Sequence, residues 1–213
     1  MPVKRLSESK TRLSEILSLD HRKILVLTML EDVVNAISES SLVERTTILT
    51  PDKQVMDHAA ALGVMTMADQ TEQGINESIA IATKYEIEER SGIPLLVLPV
   101  DVPLVRSSTI DAIVRKVDRS HGSLVVISPS ATKGTNALLR NPPDLIPTRY
   151  GANSFGAHVQ EAERKGIHLE IYRSEDLEID LDTPRDLYEI LRKGDSTKTA
   201  TYLQGILRNR VDQ

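Results

Sequence analysis

The segment IPLLVLPVD, residues 93–101, decides the fold class. It is apolar from 93 to 100 without alternating with polar residues, and this pattern indicates a strand buried on both faces. The segment 123–127 has the same character, and helical patterns with short connections separate such runs along the chain. Alternating strands and helices predict an α/β fold with a mostly parallel sheet and helices on both faces.

The remaining elements follow from periodicity and end signals. The predicted helices are 20–40, with Asp20 as its N-cap, then 53–62, 75–90, 107–117, 155–165, 184–192 and 197–208. The other predicted strands are 46–50, 64–67 and 168–172, and the segments 129–136 and 141–150 are predicted to be loops. We expect one domain over residues 1–213, in which 195–213 forms a C-terminal helical extension.

Composition excludes several classes of function. Aromatic residues are 3% of the 213 residues and the net charge is −5, which argues against nucleic acid as a partner. The chain has no cysteine, so disulfides, thiol catalysis and thiolate metal sites are excluded, and a cytoplasmic location is expected. The longest apolar runs are far shorter than the roughly 20 residues of a membrane span, so no membrane association is expected.

Three aspartates are candidates for a cation site. Asp101 directly follows the buried strand, and ligands of open parallel sheets bind beyond the carboxyl ends of the strands. Asp180 and Asp182 are two residues apart, so they share one side of an extended segment. Converging carboxylates favour Mg²⁺, a hard cation that also takes water and phosphate oxygens. As an alternative, Asp182 or Thr183 caps the helix that Pro184 begins.

Polar and basic segments suggest anion sites. The basic residues Lys4, Lys10 and Arg12 suit a triphosphate, although a solvated basic N-terminus is the alternative. The turn-forming segments 133–136 and 150–155 carry small hydroxyl residues, and the second precedes a predicted helix, where exposed N–H groups bind anions. Alternatively, both segments are ordinary turns. No phosphate-binding loop of the GxxxxGK[ST] type and no GxGxxG segment occurs, and the five histidines show no metal-binding spacing.

An ordered set of segments resembles the 2-phospho-L-lactate guanylyltransferase family of coenzyme F420 biosynthesis. The matching segments are PVK (2–4), SKTRL (9–13), MLEDV (29–33), QGIN (73–76), LPVDVP (98–103), GTNAL (134–138), YGANSF (150–155) with His158, and DLDTPRDL (180–187). They cover the chain up to about residue 192. No single segment decides the match, but GTNAL followed by YGxxSF is fairly specific.

The resemblance implies a single GT-A-type nucleotidyltransferase domain with a Rossmann-like sheet. It implies transfer of GMP from GTP to 2-phospho-L-lactate, a small phosphorylated hydroxy acid, with release of pyrophosphate. The implied catalytic residues are Lys4, Lys10, Arg12 and Asp101. The implied nucleotide-binding residues are Lys4, Lys10, Arg12, Gln73, Gly74 and Asn76. The implied Mg²⁺ ligands are Asp101 with Asp180 or Asp182, and the implied acceptor-binding residues are Thr135, Gly151 and Ser154.

Other interpretations stay open at this stage. The acceptor could be phosphoenolpyruvate or another phosphorylated compound, because sequence does not separate two small acids that differ at one carbon. A nucleotide-binding module without turnover is the alternative from another class, and a plain α/β scaffold is the third. A homodimer is expected, with the helix after Thr197 as its contact element. The segment 130–133 departs from the family's usual lead into GTNAL, so the acceptor segment could be set differently.

Overall fold

The computed structural model describes residues 1–71, 73–117, 122–194 and 196–211. Its helices are α1 (Leu19–Ser38), α2 (Lys53–Ala61), α3 (Ile75–Glu89), α4 (Ser107–Val114), α5 (Ser154–Arg164), α6 (Glu175–Glu178), α7 (Pro184–Lys193) and α8 (Lys198–Val211). Its strands are β1 (Thr47–Thr50), β2 (Met65–Ala68), β3 (Leu95–Val97), β4 (Leu124–Pro129), β5 (Thr135–Asn141) and β6 (Leu169–Ile171). Two short 3₁₀ turns, Leu6–Glu8 and Thr11–Leu13, precede α1.

The strands form two paired groups. One is a four-stranded sheet in the order β3-β5-β4-β6, in which β3, β4 and β6 run in one direction and β5 runs against both of its neighbours. In the other, β1 and β2 pair in parallel. The N-terminal residues extend this pair, since the Val3 N–H donates to the Leu49 carbonyl at 2.8 Å. The prediction of a mostly parallel α/β fold is confirmed.

Helices cover both faces of the four-stranded sheet. On one face Val126 and Leu139 pack with Ile110 of α4 and with residues of α1. On the other face Ile127 and Leu138 pack with residues of α3 and α5. Adjacent residues of β4 and β5 therefore face opposite layers, and all are buried, which is why the sequence shows no alternation there.

The prediction of a loop over 129–136 was wrong at both ends, because β4 continues to Pro129 and β5 begins at Thr135. The loop is a tight turn in which the Ser130 Oγ accepts hydrogen bonds from the Gly134 and Thr132 N–H groups at 2.9 and 3.2 Å. A Cβ at position 134 would lie 2.8 Å from the Ser130 Oγ, so the turn requires glycine there. Thr135 and Asn136 are thus held on a rigid strand.

Helix ends also differ from the expected ones. Helix α1 is capped by Ser18, whose Oγ accepts from the His21 N–H at 3.3 Å, and Asp20 lies in its first turn. The predicted strand 93–100 is confined to Leu95–Val97, and the short helix α6 was not predicted.

No helix within the described residues is long and apolar enough to cross a membrane.

Helix α8 packs against α1 within the same chain. Leu203 and Ile206 belong to a buried cluster with Leu25 and Met29 of α1. The Asp32 carboxylate accepts hydrogen bonds from the first N–H groups of α8 at 2.8 and 2.9 Å. Residues 195, 212 and 213 of the expected extension 195–213 lie outside the described residues. The contact between protomers predicted for this helix stays a prediction.

Candidate active site

One cavity of about 420 Å³ collects most of the predicted site residues. It lies beyond the carboxyl end of β3, between the N-terminal basic segment, the turn from β4 to β5 and the segments that precede α5 and α7. Predicted site residues that line it are Lys4, Lys10, Arg12, Asp101, Thr135, Gly151, Ser154, Asp180 and Asp182. Its size suits a nucleotide or a small phosphorylated acid.

A buried lysine joins two of the three aspartates. The Lys10 Nζ donates to the Asp182 Oδ1 at 2.6 Å and to the Asp101 Oδ2 at 3.1 Å, and the Lys10 side chain is only 6% exposed. Burial by itself would lower the pKa of Lys10, but the charges of Asp101 and Asp182 outweigh it, so the pKa is raised. Burial likewise acts to raise the pKa of Asp182, and Lys10 reverses the effect and lowers it. Lys10 and Asp182 are therefore both charged at neutral pH.

Local backbone structure turns Lys10 inward. Lys10 lies between the two 3₁₀ turns in a left-handed conformation, with φ 52°. Leu6 and Leu13 are buried on either side of it, and the Leu6 N–H donates to the Asp52 Oδ2 at 2.9 Å. Lys4 and Arg12 remain exposed at the mouth of the cavity. The sequence predicted a phosphate contact for Lys10 and gave no sign of its pairing with the aspartates.

Asp182 is brought to Asp101 by the backbone. The Leu181 N–H donates to the Asp101 carbonyl at 2.9 Å. The alternative in which Asp182 caps the next helix is wrong, because Thr183 caps α7 in a reciprocal pair with Asp186 and Pro184 opens the helix. The side chain of Asp182 is therefore left to face Lys10 and the cavity.

Asp180 lines the same cavity without contacting Lys10. Burial raises its pKa to about 6, and repulsion from Asp101 and Asp182 adds to the shift. The Asp180 carboxyl consequently titrates close to neutral pH. A cation bound beside it would lower its pKa and favour the charged form.

The residues fit a magnesium ion that is shared with substrate phosphates. As positioned, no three acidic or histidine side chains among the described residues converge closely enough to enclose a metal. Mg²⁺ bound with a nucleotide needs only one or two carboxylates, because phosphates and water supply its other ligands. The Asp101 Oδ1 is buried and has no hydrogen-bond partner, which suits a metal ligand. The Lys10 ammonium lies between Asp101 and Asp182, two of the three aspartates predicted to hold the ion.

The predicted acceptor residues also meet in the lining of this cavity. The Ser154 Oγ donates to the Thr135 Oγ1 at 3.2 Å, and both side chains are buried. Gly151 lies at the exposed edge beside them, with φ 144°. Ser154 is the first residue of α5, and Asn153, with a left-handed backbone, is at the N-cap position.

His158 lies behind this hydroxyl pair and is fully buried. Its Nδ1 is 3.0 Å from the Thr135 Oγ1, and its Nε2 accepts from the Arg149 N–H at 2.8 Å. Burial lowers its pKa to about 4, and the charge of Arg140 adds to the effect. His158 is therefore neutral at physiological pH, and with both nitrogens engaged it is no general base. In the sequence, the only signal for His158 is its position three residues after YGANSF.

Asn76 holds the backbone of Tyr150, at the start of the YGANSF segment, and does not itself line the cavity. Its Nδ2 donates to the Tyr150 carbonyl at 2.9 Å, and its Oδ1 accepts from the Tyr150 N–H at 2.7 Å. Gln73 and Gly74 are exposed and also lie outside the lining, whereas Ile75 belongs to it. The nucleotide-binding role implied for Gln73, Gly74 and Asn76 stays a prediction.

A second and larger cavity, of about 620 Å³, lies between β1 and β3. It is lined mainly by apolar side chains, with Arg45 and Glu86 paired at its wall. None of the predicted site residues reaches it. Because its carboxylates, Glu44 and Glu86, are each paired with an arginine and none is a predicted site residue, we take the smaller cavity as the candidate active site.

Comparison with known proteins identifies the family. A family model described as "Guanylyl transferase CofC like" matches residues 1–212. The chain belongs to this family. A curated phosphoenolpyruvate guanylyltransferase from Sphaerobacter thermophilus is 34% identical over 89% of this chain and 90% of its own length. A 2-phospho-L-lactate guanylyltransferase from Methanocaldococcus jannaschii is 33% identical over 97% of this chain and 87% of its own length.

Solved structures support the fold of this guanylyl transferase family member. A protein from Desulfovibrio desulfuricans G20, described as a nucleotide-diphospho-sugar transferase, superposes with a TM-score of 0.78 at 17% identity, over 98% of this chain and 95% of its own. A cytidylyltransferase from Leptospira borgpetersenii gives 0.61 at 16% identity, over 99% and 93%. The chain therefore has the α/β fold of nucleotidyltransferases.

Proposed function

We propose that the protein transfers GMP from GTP to 2-phospho-L-lactate and releases pyrophosphate, a step of coenzyme F420 biosynthesis. One observation carries the proposal: a single cavity is lined both by an aspartate pair with a buried lysine and by a pair of buried hydroxyls. Family membership and the names of the relatives support GTP as the donor.

The acceptor's own phosphate is the nucleophile. Its second pKa is about 6, so it is largely ionised at neutral pH and needs no general base. One of its oxygens forms a bond to the α-phosphorus of GTP while the bond from that phosphorus to the bridging oxygen breaks, and pyrophosphate leaves. The neutral, fully engaged His158 agrees with a mechanism that abstracts no proton.

The main task of the protein is to bring two polyanions together. Two like unit charges about 4 Å apart repel by about 1 kcal/mol in water and by about 4 kcal/mol at an effective dielectric constant of about 20. Lys4 and Arg12 at the mouth, with Lys10 behind them, offset this repulsion around the triphosphate. Mg²⁺ held by Asp101 with Asp180 or Asp182 would act as a Lewis acid on the phosphate oxygens. Thr135 and Ser154 orient the acceptor.

Phosphoenolpyruvate is the second candidate acceptor, because the curated relatives carry both names at similar identity. The two acids have the same charged groups and differ in the geometry of one carbon, a difference worth only about 1–3 kcal/mol of discrimination. We favour phospholactate because six of eight similar curated relatives carry that name and two carry the other. A homodimer, a cytoplasmic location and Mg²⁺ as cofactor complete the proposal.

A pyrophosphate-release assay tests the proposal. GTP, ATP and CTP are each paired with 2-phospho-L-lactate and with phosphoenolpyruvate, with Mg²⁺ and with EDTA. We expect release only with GTP, Mg²⁺ and an acceptor, and a higher kcat/KM for phospholactate. A higher kcat/KM for phosphoenolpyruvate would select the second candidate. GTP binding without pyrophosphate release under any condition would instead indicate a nucleotide-binding module.

Replacing Ser154 by alanine is expected to raise the KM of the acceptor about tenfold, because the Ser154 Oγ donates to the Thr135 Oγ1 and holds the hydroxyl that we assign to the acceptor. The KM of GTP is expected to stay within about twofold, because neither Ser154 nor Thr135 is among the residues that we assign to GTP. Steady-state kinetics with each substrate varied in turn checks this. Ser9→Ala, in the basic N-terminal segment that lines the same cavity, is the matched control. Equal rises in both KM values for Ser154→Ala would remove this residue from the acceptor site.

A further inference from the structure

The hydroxyl of Thr135 receives two hydrogen bonds inside the protein. The Ser154 Oγ donates to it at 3.2 Å, and the His158 Nδ1 lies 3.0 Å away on another side. Thr135 is also part of the cavity lining. The direction of the contact with His158 decides what the hydroxyl offers to a ligand.

A backbone hydrogen bond on the other side of the ring determines whether the His158 Nδ1 donates or accepts. The Arg149 N–H points at the His158 Nε2 at 2.8 Å, and a backbone N–H is only a donor, so Nε2 is an acceptor without a proton. A neutral imidazole then carries its single proton on Nδ1. The low pKa of His158 supports the neutral ring. Nδ1 consequently donates to the Thr135 Oγ1.

Both acceptor positions of the Thr135 hydroxyl are thereby filled, and its own proton is left to be donated. Within the described part of the chain, the only hydrogen-bond partners of the Thr135 Oγ1 are Ser154 and His158, and both donate to it. Because Thr135 lines the cavity, the free proton is available to a ligand there. Such a hydroxyl attracts an anionic oxygen and disfavours a donor group at the same place.

We propose that His158 is a positioning residue that fixes Thr135 as a hydrogen-bond donor to an anionic oxygen of the acceptor, either phosphate or carboxylate. The proposal rests on the proposed function, since it places the acceptor at Thr135. The ring is held for this task by the Arg149 backbone and by an edge-on contact with Tyr150, with ring centroids 5.2 Å apart. The Asn76 side chain in turn forms two hydrogen bonds with the Tyr150 backbone.

Two substitutions separate the two nitrogens of His158. In His158→Asn the amide NH₂ lies where Nδ1 lies and keeps a donor to Thr135. In His158→Gln the amide oxygen lies near the position of Nε2, and no donor reaches Thr135. We expect His158→Gln to raise the KM of the acceptor about tenfold, which is about 1.4 kcal/mol, with the KM of GTP unchanged. His158→Asn is expected to keep the acceptor KM within about threefold, even if it lowers the melting temperature.

Thr135→Val provides the coupling test. On its own it should raise the acceptor KM about tenfold, and in the His158→Gln background it should add little, because the donated hydrogen bond is already lost. A full additional effect in that background would overturn the proposal. So would equal effects of His158→Asn and His158→Gln, or a parallel rise in the KM of GTP.

The tautomer of His158 is measurable without turnover. Long-range ¹H–¹⁵N spectra of the wild-type protein at pH 7 should show one histidine of the five with its proton on Nδ1 that does not titrate between pH 5 and 8, and this signal should vanish in His158→Asn. A proton on Nε2, or a doubly protonated ring, would overturn the inference even if neither variant folds. Absence of pyrophosphate release by the wild type would count against the proposed function alone.

Discussion

Asp101→Asn is expected to lower turnover about 10³-fold, which is the scale of losing a group that stabilises charge in the transition state. Asparagine keeps the shape of the side chain and loses its negative charge. The Asp101 Oδ1 is the buried oxygen without a partner, and Oδ2 is paired with Lys10. Stability should change little, because Lys10 keeps its 2.6 Å contact with Asp182 and Asp180 loses a repulsive neighbour. Pyrophosphate release and thermal melting measure the two effects.

The control for this substitution is Asp57→Asn. Asp57 is exposed on α2, and its one ion-pair partner among the described residues is Lys53, one turn away, so its loss should leave turnover unchanged. Melting curves with increasing MgCl₂ add a second comparison, in which the ion should stabilise the wild type and the Asp57 variant more than the Asp101 variant. Near-normal turnover of Asp101→Asn would reject Asp101 as a metal ligand.

Most elements of the fold were predictable because they carry clear signals. The strand at 95–97 and the strand at 124–129 are apolar runs, and the helix at 184–193 begins with Thr183 and Pro184. Strand β5 was not predicted. It follows a turn-forming segment, and it contains Arg140, which is only 2% exposed. The Arg140 guanidinium donates there to the Ile146 carbonyl and to the hydroxyl of Thr83, which is 57 residues away in the sequence.

The candidate site was predictable where position alone matters. Asp101 follows a buried strand, and sheet geometry places such a residue at a ligand cleft. The pairing of Lys10 with Asp101 and Asp182 was not predictable, because it spans 91 and 172 residues and depends on a left-handed backbone at Lys10. The same holds for Asn76, whose short polar side chain gives no sign that it binds the Tyr150 backbone.

Lys10→Met is expected to lower turnover about 10²-fold or more, because a positive charge is removed from the place where two polyanions meet. Methionine has a similar length and no charge. The variant also leaves Asp101 and Asp182 facing each other without the ammonium. Removing one partner of a buried ion pair is strongly destabilising, but both carboxylates keep contact with water, so the expected loss of stability is about 1–3 kcal/mol at pH 7.

The pH dependence of this loss distinguishes a charge effect from a packing effect. In the wild type the lowered pKa of Asp182 gives stability that is present at neutral pH and lost as the pH falls through the acidic range. In Lys10→Met, repulsion between Asp101 and Asp182 raises the pKa of one of them, so folding takes up a proton and stability is gained as the pH falls. Urea unfolding at pH 7 and pH 4.5 should therefore show a smaller gap between variant and wild type at the lower pH.

Lys4→Met is the matched control, because Lys4 lines the same cavity but is exposed and makes no ion pair with the aspartates. It should raise the KM of GTP with little effect on stability at either pH. Lys10→Met should also respond more strongly to MgCl₂ than the wild type in thermal melts, since the ammonium no longer occupies the place between the two carboxylates. A stability gap that is the same at both pH values would show that Lys10 acts through packing of its alkyl chain, and its charge would then have no part in holding Asp101 and Asp182 together.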